Sequence, residues 1–190
     1  TKTGYSFRGW AEKETDTWVT YKDEEKVQNL LTEDGAVLTL FALWNANTYT
    51  LSFDSNKGEG SSTPTTAVDR TVTYGKTYGT LPAVSRNGYT FDGWYTEKEG
   101  GEAILADNVV DITENTTLYA HWTVKKYTVS FDSNKGKGSA APSEGDAIEV
   151  TYDTTYGDLP EVSRDGYTFN GWYTTSTGGS KVTADTAVKI

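Results

Sequence analysis

The sequence predicts a mainly β protein, α+β at most, assembled from small repeated modules. Aromatic residues make up 13% of the 190 residues, including 13 Tyr, and Met is absent. Aromatic and β-branched side chains suit a pleated, half-buried surface, so this composition favours strands. The 19 Gly supply residues for turns. A chain this rich in aromatic residues is not expected to be disordered.

A repeat with an offset of 78 residues is the strongest pattern in the chain. Residues 49–112 align with residues 127–190 without a gap and are identical at 37 of 64 positions. A weaker copy opens the chain, where the segment GYSFRGW from Gly4 matches GYTFDGW from Gly88. Such periodicity is typical of arrays in which each unit is one small structural module.

The repeats predict three modules. Residues 1–46 are the C-terminal part of a divergent first repeat, residues 48–123 are a complete repeat, and residues 126–190 are a third repeat that lacks its last strand. The linkers, 45–48 and 123–126, are short. Linkers of about four residues restrict neighbouring modules, so they favour an extended and semi-stiff row.

Four segments of the complete repeat alternate between apolar and polar residues and are predicted to be strands. They are residues 49–53, 70–74, 89–95 and 118–122. The third of them contains Gly93, which recurs as a glycine in all three copies. A glycine inside a strand indicates a bulge or a close backbone approach. We expect it to turn the following tryptophan back towards the core.

The predicted core consists of aromatic and apolar residues that recur at equivalent positions, together with that glycine. Because one tryptophan follows it in each copy, we expect the same buried indole three times. The core set is Trp10, Trp44, Tyr89, Phe91, Gly93, Trp94, Leu118, Trp122, Tyr167, Phe169 and Trp172.

One helix is predicted, in the first repeat at residues 22–31. Two acidic residues lie near its start, and Val27, Leu30 and Leu31 share one face. It lies where the first copy carries about six residues more than the second between its two tryptophans.

These motifs resemble a known family. The segment GYTFDGWYT, the Gly100–Gly101 turn and the segment TTLYAHW ending at Trp122 are similar to the Listeria–Bacteroides repeat, which recurs in internalin-type and other bacterial surface proteins. The resemblance implies a small β-grasp, ubiquitin-like fold in tandem. It also implies an extracellular protein at the cell surface or associated with the cell wall, and it supplies no catalytic residues.

Composition excludes several classes of protein. The absence of Cys rules out disulfides, thiol chemistry and zinc fingers. It fits an exported Gram-positive protein, and equally many cytosolic ones. The net charge of −10 opposes nucleic acid binding. The longest apolar run, residues 37–44, falls far short of the ~20 residues of a membrane helix, and no signal peptide is predicted from the first residues.

Catalytic and metal sites are not predicted. His121 is the only histidine and corresponds to Leu43 in the first copy. The segment Asp54–Gly58 spaces oxygen ligands as a calcium loop does, but it contains Lys57 and lacks the later bidentate Glu, so a hairpin turn is favoured. A module of about 75 residues offers little volume for a substrate cleft. No cofactor is expected.

The sequence therefore predicts a non-catalytic, monomeric stalk whose partners are the neighbouring repeats of the same chain. Such a row projects other domains away from a cell surface, as in adhesins and internalins. The alternative is a binding module that contacts host or cell-surface glycan or protein through exposed aromatic rings. The candidates are Tyr95, Tyr173 and Tyr119, although ordinary cross-strand pairing explains the same rings.

Overall fold

The computed structural model describes residues 1–136 and 141–190. Within these ranges the chain forms eleven β-strands and no helix, so the prediction of a mainly β protein is confirmed. The strands are β1 (Tyr5–Ala11), β2 (Phe41–Ala46), β3 (Thr48–Asp54), β4 (Arg70–Thr73), β5 (Tyr89–Tyr95), β6 (Ala103–Ile104), β7 (Thr116–Val124), β8 (Lys126–Phe131), β9 (Gly145–Thr151), β10 (Trp172–Tyr173) and β11 (Lys181–Val182).

The chain divides into two compact units, each made of several segments. The first contains Thr1–Asp54, Thr66–Pro82 and Trp94–Tyr119. The second contains Ser55–Thr65, Ala83–Gly93 and Ala120–Ile190. Residues of the complete repeat contribute to both units, and the module boundaries at 1–46, 48–123 and 126–190 stay a prediction.

In the first unit, β1 and β2 form an antiparallel pair. Their register shifts between Phe7 and Gly9, which is the bulge expected at this glycine of the motif. The largest sheet has the strand order β4-β3-β7-β5-β6, and β3 runs parallel to β7. Leu51, Trp94 and Leu118 are each at most 1% exposed and form the centre of the core.

In the second unit, β8 pairs antiparallel with β9, and β10 pairs with β11. Val150, Tyr152 and Val188 are buried there. The strand pattern predicted for the third repeat is only partly formed, because β10 covers two residues where β5 covers seven.

The linkers are shorter than predicted. β2 and β3 are separated by Asn47 alone, and β7 and β8 by Lys125 alone. The other residues of the predicted linkers belong to the flanking strands.

The helix predicted at residues 22–31 is wrong. These residues form turns and irregular chain, with positive φ values of 55° at Glu24 and 56° at Asn29. Val27, Leu30 and Leu31 are all exposed, so the apolar face of such a helix has no partner. A helix this short is marginal in water without tertiary packing, which explains its absence.

Candidate functional site

In the complete repeat the tryptophan of the central motif is buried, and its indole N–H has a hydrogen-bond acceptor. Trp94 on β5 is 1% exposed. Its indole N–H donates to the carbonyl oxygen of Pro82 at 2.7 Å, and its ring lies 4.7 Å from that of Phe53 between centroids. The polar edge is therefore satisfied while the ring fills the core.

The same tryptophan has similar contacts in the third repeat and fewer in the first. The Trp172 indole donates to the carbonyl oxygen of Pro160 at 2.8 Å, and its ring lies 4.7 Å from Phe131. Trp10 lies 5.1 Å from Phe7. Trp10 and Trp172 are only half-buried, unlike Trp94.

The remaining predicted core residues differ in exposure from one repeat to the next. Leu118 is 1% exposed. Half-buried positions are Trp44, Tyr89, Phe91, Gly93 and Trp122. In contrast to the prediction, Tyr167 is 57% exposed and Phe169 is 44% exposed. In the complete repeat the ring of Phe91 lies 5.4 Å from that of Trp122, whereas residues 126–190 contain no counterpart of Trp122 to cover Phe169.

The three tyrosines predicted as binding candidates differ in exposure. Tyr173 on β10 is 46% exposed. Tyr95 at the end of β5 and Tyr119 on β7 are half-buried. The ammonium of Lys98 lies 5.6 Å from the centre of the Tyr119 ring. Tyr173 is therefore the most exposed of the three.

Successive repeats are joined by main-chain hydrogen bonds on both sides of the linker residue. In the first junction, the Asn47 N–H donates to the carbonyl oxygen of Gly4, and the Tyr74 N–H donates to that of Asn47, both at 2.9 Å. The rings of Tyr5 and Tyr74 meet edge to face with centroids 5.5 Å apart. The linker is thus held between two repeats.

The second junction repeats this arrangement. The Lys125 N–H donates to the carbonyl oxygen of Gly88 at 2.9 Å, and the Tyr152 N–H donates to that of Lys125 at 3.0 Å. The rings of Tyr89 and Tyr152 meet edge to face with centroids 5.9 Å apart.

A glycine at each junction lies directly against a tyrosine ring. A Cβ on Gly4 would lie 2.2 Å from Cγ of Tyr74, and one on Gly88 would lie 2.1 Å from Cδ1 of Tyr152. Both glycines have positive φ values, of 75° and 77°. Any side chain there would displace the ring, so the close approach requires glycine.

The second junction also carries a cluster around the carboxylate of Asp153, whose side chain is 11% exposed. The Ser61 N–H donates to Oδ2 at 2.9 Å, and the Tyr89 hydroxyl donates to the same oxygen at 3.1 Å. The Ser61 hydroxyl and the Lys189 ammonium both donate to Oδ1. Asp153 is thereby bonded to residues of the preceding repeat and of its own.

This cluster favours the charged form of the acid. Hydrogen bonds from Lys189 and then Ser61 hold the pKa of Asp153 well below its ordinary value. Burial is the main cause that raises the pKa of Tyr89, and its hydrogen bond to Asp153 adds to the effect. The neighbouring Arg86 guanidinium, 3.7 Å from the centre of the Tyr89 ring, acts in the opposite direction on that pKa.

The backbone at Asp153 indicates that its contacts hold it in place. Its φ is 65°, a region that few residues other than glycine adopt, although aspartate tolerates it better than most. The equivalent residue of the preceding repeat is Gly75, with a φ of 73°. Likewise the position of Lys189 is held by Asp111 one repeat earlier. The first junction therefore lacks this ion pair.

Sequence reasoning missed the junction residues. A repeat pattern shows which residues correspond between copies, but not which residue of one copy meets the next. Two signals were present: Gly precedes Tyr at Gly4 and Gly88, and Asp153 replaces the Gly75 of an otherwise matching TYG turn. A departure of this kind from the repeat pattern marks a site where one copy has a contact of its own.

Residues 1–136 and 141–190 hold no group of three or more His, Cys, Asp or Glu side chains arranged to bind a metal ion. The same ranges contain no helix of the length and hydropathy needed to cross a bilayer.

The two similar copies match the model of a known protein family. A model of the Listeria–Bacteroides repeat domain matches residues 49–121 and 127–190. These two ranges cover more than half of the chain and coincide with the two similar copies found in the sequence. No solved structure is significantly similar to the chain.

Individual relatives are much longer proteins. A protein of Evansella cellulosilytica named as a Gly-rich membrane protein is 33% identical over 177 residues, which are 90% of this chain and 19% of that protein. A second protein from the same organism, named as a membrane protein, is 34% identical over 179 residues, which are 93% of this chain and 24% of that protein. Internalin H of Listeria monocytogenes is 39% identical over 101 residues, which are 52% of this chain and 17% of that protein. The chain thus spans about a fifth of the length of these curated relatives.

Proposed function

The chain belongs to the Listeria–Bacteroides repeat family, and from this premise we propose that it is a non-catalytic spacer in a bacterial cell-surface protein. In this role the repeats separate other domains from the surface and carry no chemistry of their own. The names of the relatives, two membrane proteins and an internalin, support a location at the cell surface or in the cell wall.

The observation that carries the proposal is the pair of main-chain-bonded junctions. A spacer must keep its modules at defined angles, and a flexible linker of the same length does not. At Asn47 and at Lys125 the single linker residue both donates to the preceding repeat and accepts from the following one. The same pattern at two junctions is what a regular row of modules needs.

The fold of each repeat is proposed to be a β-grasp. In the complete repeat the first strand, β3, lies beside the last, β7, and the two are parallel. The second strand and the third lie on their outer sides, in the order β4-β3-β7-β5-β6. This mixed sheet supports the β-grasp proposal, although no helix accompanies it among the described residues.

Charge supports the same role. The net charge of −10 makes neighbouring segments repel one another at long range and keeps such a row soluble. We therefore expect the chain to be a monomer whose contacts are those between its own repeats.

The test is a distance measurement between two repeats. The chain has no Cys, so Glu99→Cys and Thr177→Cys, at equivalent exposed positions, place two spin labels without competing sites. Pulsed electron paramagnetic resonance should give a narrow distance distribution. A matched control with six Gly-Ser residues inserted after Lys125 should give a broad one. A wild-type distribution as broad as that of the control contradicts the spacer proposal.

A binding role is the second candidate, favoured by the exposed ring of Tyr173. Its test is a glycan array and a host-cell binding assay with the intact chain. Saturable binding that is lost in Tyr173→Ala or Tyr95→Ala, with the circular dichroism spectrum unchanged, would replace the pure spacer by a binding module. No binding in either assay leaves the spacer as the function.

A further inference from the structure

The first and last strands of the complete repeat are direct neighbours that run in the same direction. β3 pairs parallel with β7, with Leu51 opposite Thr116 and Asp54 opposite Tyr119. The chain enters the repeat at the start of β3 and leaves it at the end of β7. Because the two strands are parallel, the entry and exit points lie at opposite ends of the pair. Tension along the chain therefore pulls the two strands lengthwise past each other.

The single-residue linkers carry such tension straight into this strand pair. Asn47 alone separates β2 from β3, and Lys125 alone separates β7 from β8. Connections this short transmit a pull on the chain to β3 and β7 in opposite directions. The hydrogen bonds between parallel strands are evenly spaced and run across the strands, at a slant. They therefore share the load, and they must break together for the strands to slide.

Side-chain hydrogen bonds extend this bonded region at both of its ends. Before the first paired residue of β3, the Thr50 N–H donates to the side-chain carbonyl oxygen of Asn115 at 2.8 Å. Beyond the last one, the Asn56 side-chain amide donates to the carbonyl oxygen of Ala120 at 3.0 Å. More bonds thus oppose sliding than the strand pairing alone provides.

Buried side chains oppose the same movement. Leu51 and Phe53 on β3, and Leu118 and Ala120 on β7, are at most 8% exposed. A shift of one strand by one residue would turn all of its side chains to the other face of the sheet. The strands can therefore slide only if these apolar side chains leave the core, which exposes their surface to water.

We propose that the complete repeat is a load-bearing module in which β3 and β7 form a shear clamp. This inference rests on the proposed spacer function and adds that the spacer withstands tension. The clamp resists a pull along the chain much more strongly than a pull that separates the same two strands from one end.

The difference arises from how the same hydrogen bonds are loaded. A pull between the starts of β3 and β7 opens the pair from one end, so the bonds break one after another. A single hydrogen bond contributes little net free energy, so each of these steps meets a small barrier. Shear loads all of the bonds and the buried side chains at once, and forced unfolding is governed by the height of that barrier.

The first experiment pulls the intact chain in these two directions by single-molecule force spectroscopy. Because the chain has no Cys, paired cysteines at exposed positions provide unique handles. Thr48→Cys with Lys125→Cys loads the strand pair in shear, whereas Thr48→Cys with Glu114→Cys opens it from one end. At equal pulling speed, shear should require roughly twice the force or more. The shear event should release roughly 250 Å of chain.

The second experiment separates the clamp from overall stability, with both variants pulled in the shear direction. Asn115→Ala removes the bond from Thr50, so it should lower the rupture force by roughly a tenth or more with a small change in melting temperature. Val110→Ala is the control, because Val110 is 0% exposed and lies outside both strands. It should lower the melting temperature more and the rupture force less, since it bears none of the load.

Two results would overturn the proposal. They are equal rupture forces in the two pulling directions, and a rupture force that follows the melting temperature across the two variants. The spin-label distances distinguish this failure from that of the spacer function. A narrow distance distribution with equal forces would overturn the load-bearing role alone, whereas a broad one would remove the spacer function and this inference with it.

Discussion

The second and third repeats share 37 of 64 aligned residues, yet one nearly identical motif is ordered differently in them. In the complete repeat Tyr89–Tyr95 is a strand of seven residues. In the third repeat the strand is reduced to Trp172–Tyr173. The difference lies in the neighbour, because β7 lies beside β5 and residues 126–190 contain no equivalent of β7. The motif has the residue pattern of a strand in both repeats, but it forms a full strand only where a neighbouring strand pairs with it.

The contacts of the motif's tryptophan, in contrast, are the same with and without the neighbouring strand. The tryptophan keeps its bond to a proline carbonyl oxygen, at 2.7 Å for Trp94 and 2.8 Å for Trp172, and its ring contact with phenylalanine at 4.7 Å in both repeats. Each repeat thus has one part of the core that forms independently and one part that needs the last strand. Substitutions of Trp94 and Trp122 test this division, and substitutions of Gly88 and Asp153 test the junction; they follow in order of expected effect.

The largest effect is expected for Trp94→Ala. Deleting a large buried aromatic side chain costs about 3–5 kcal/mol of unfolding free energy. Trp172→Ala should cost less, because that side chain is only half-buried. Urea unfolding followed by circular dichroism measures both. Equal losses would show that the two tryptophans do not differ in their surroundings.

Trp122→Ala should make the complete repeat resemble the third. The half-buried indole covers Phe91, so we expect a loss of about 2–3 kcal/mol, below the range for fully buried tryptophan. Amide hydrogen exchange of residues 89–92 should become faster, while that of residues 94–95 changes little. Unchanged exchange at residues 89–92 would contradict the role given to the last strand.

Gly88→Ala and Gly166→Ala form a matched pair. Both glycines have positive φ values, of 77° and 74°, so the backbone cost of alanine is similar. A Cβ at Gly88 would meet the Tyr152 ring, whereas nothing lies within 4 Å of one at Gly166. Gly88→Ala should therefore destabilise the chain by about 1–2 kcal/mol more, the usual cost of overpacking. Thermal melts that shift equally would remove the argument for close packing at the junction.

The smallest effect is expected for Asp153→Asn, and it should depend on pH. Asparagine tolerates the same backbone conformation, so the substitution mainly removes the charge. Because the folded protein holds the pKa of Asp153 below its unfolded value of about 4, the charge stabilises the fold above that pH. This contribution is lost as pH falls from about 4 through the folded pKa.

The melting temperature of wild type should accordingly exceed that of Asp153→Asn at pH 7, and the gap should narrow below about pH 4. Gly75→Asp at the first junction is the matched comparison, since it places a carboxylate where Asp111 replaces the lysine partner. We expect no stabilisation from it. A wild-type advantage that is constant from pH 3 to 7 would contradict the assigned role of the carboxylate.

Sequence periodicity predicted the strands of the complete repeat well. Alternation placed strands at 49–53, 70–74, 89–95 and 118–122, and β3, β4, β5 and β7 occupy these positions. This succeeds because each has a partner within the chain and one face that is buried. Leu118, one of the predicted core residues, is 1% exposed.

The same reasoning failed for residues whose secondary structure or burial depends on a tertiary contact. Val27, Leu30 and Leu31 have helical spacing, but nothing packs on them and they are exposed. Tyr167 and Phe169 match the half-buried Tyr89 and Phe91 of the second copy. Counterparts of Tyr152 and Trp122, whose rings contact Tyr89 and Phe91, are not among residues 126–190. The Asp153 cluster could not be predicted from the sequence either, because Ser61 and Lys189 lie 92 and 36 residues from Asp153 in the chain.

The junctions have a consequence for how such arrays evolve. Their shared hydrogen bonds use only backbone atoms of the linker, so Asn47 and Lys125 both make them despite unrelated side chains. A gene segment encoding one 78-residue period can therefore be duplicated or deleted and still meet its new neighbour correctly. Array length becomes a heritable variable that recombination can change in single steps, without a matching mutation at each joint.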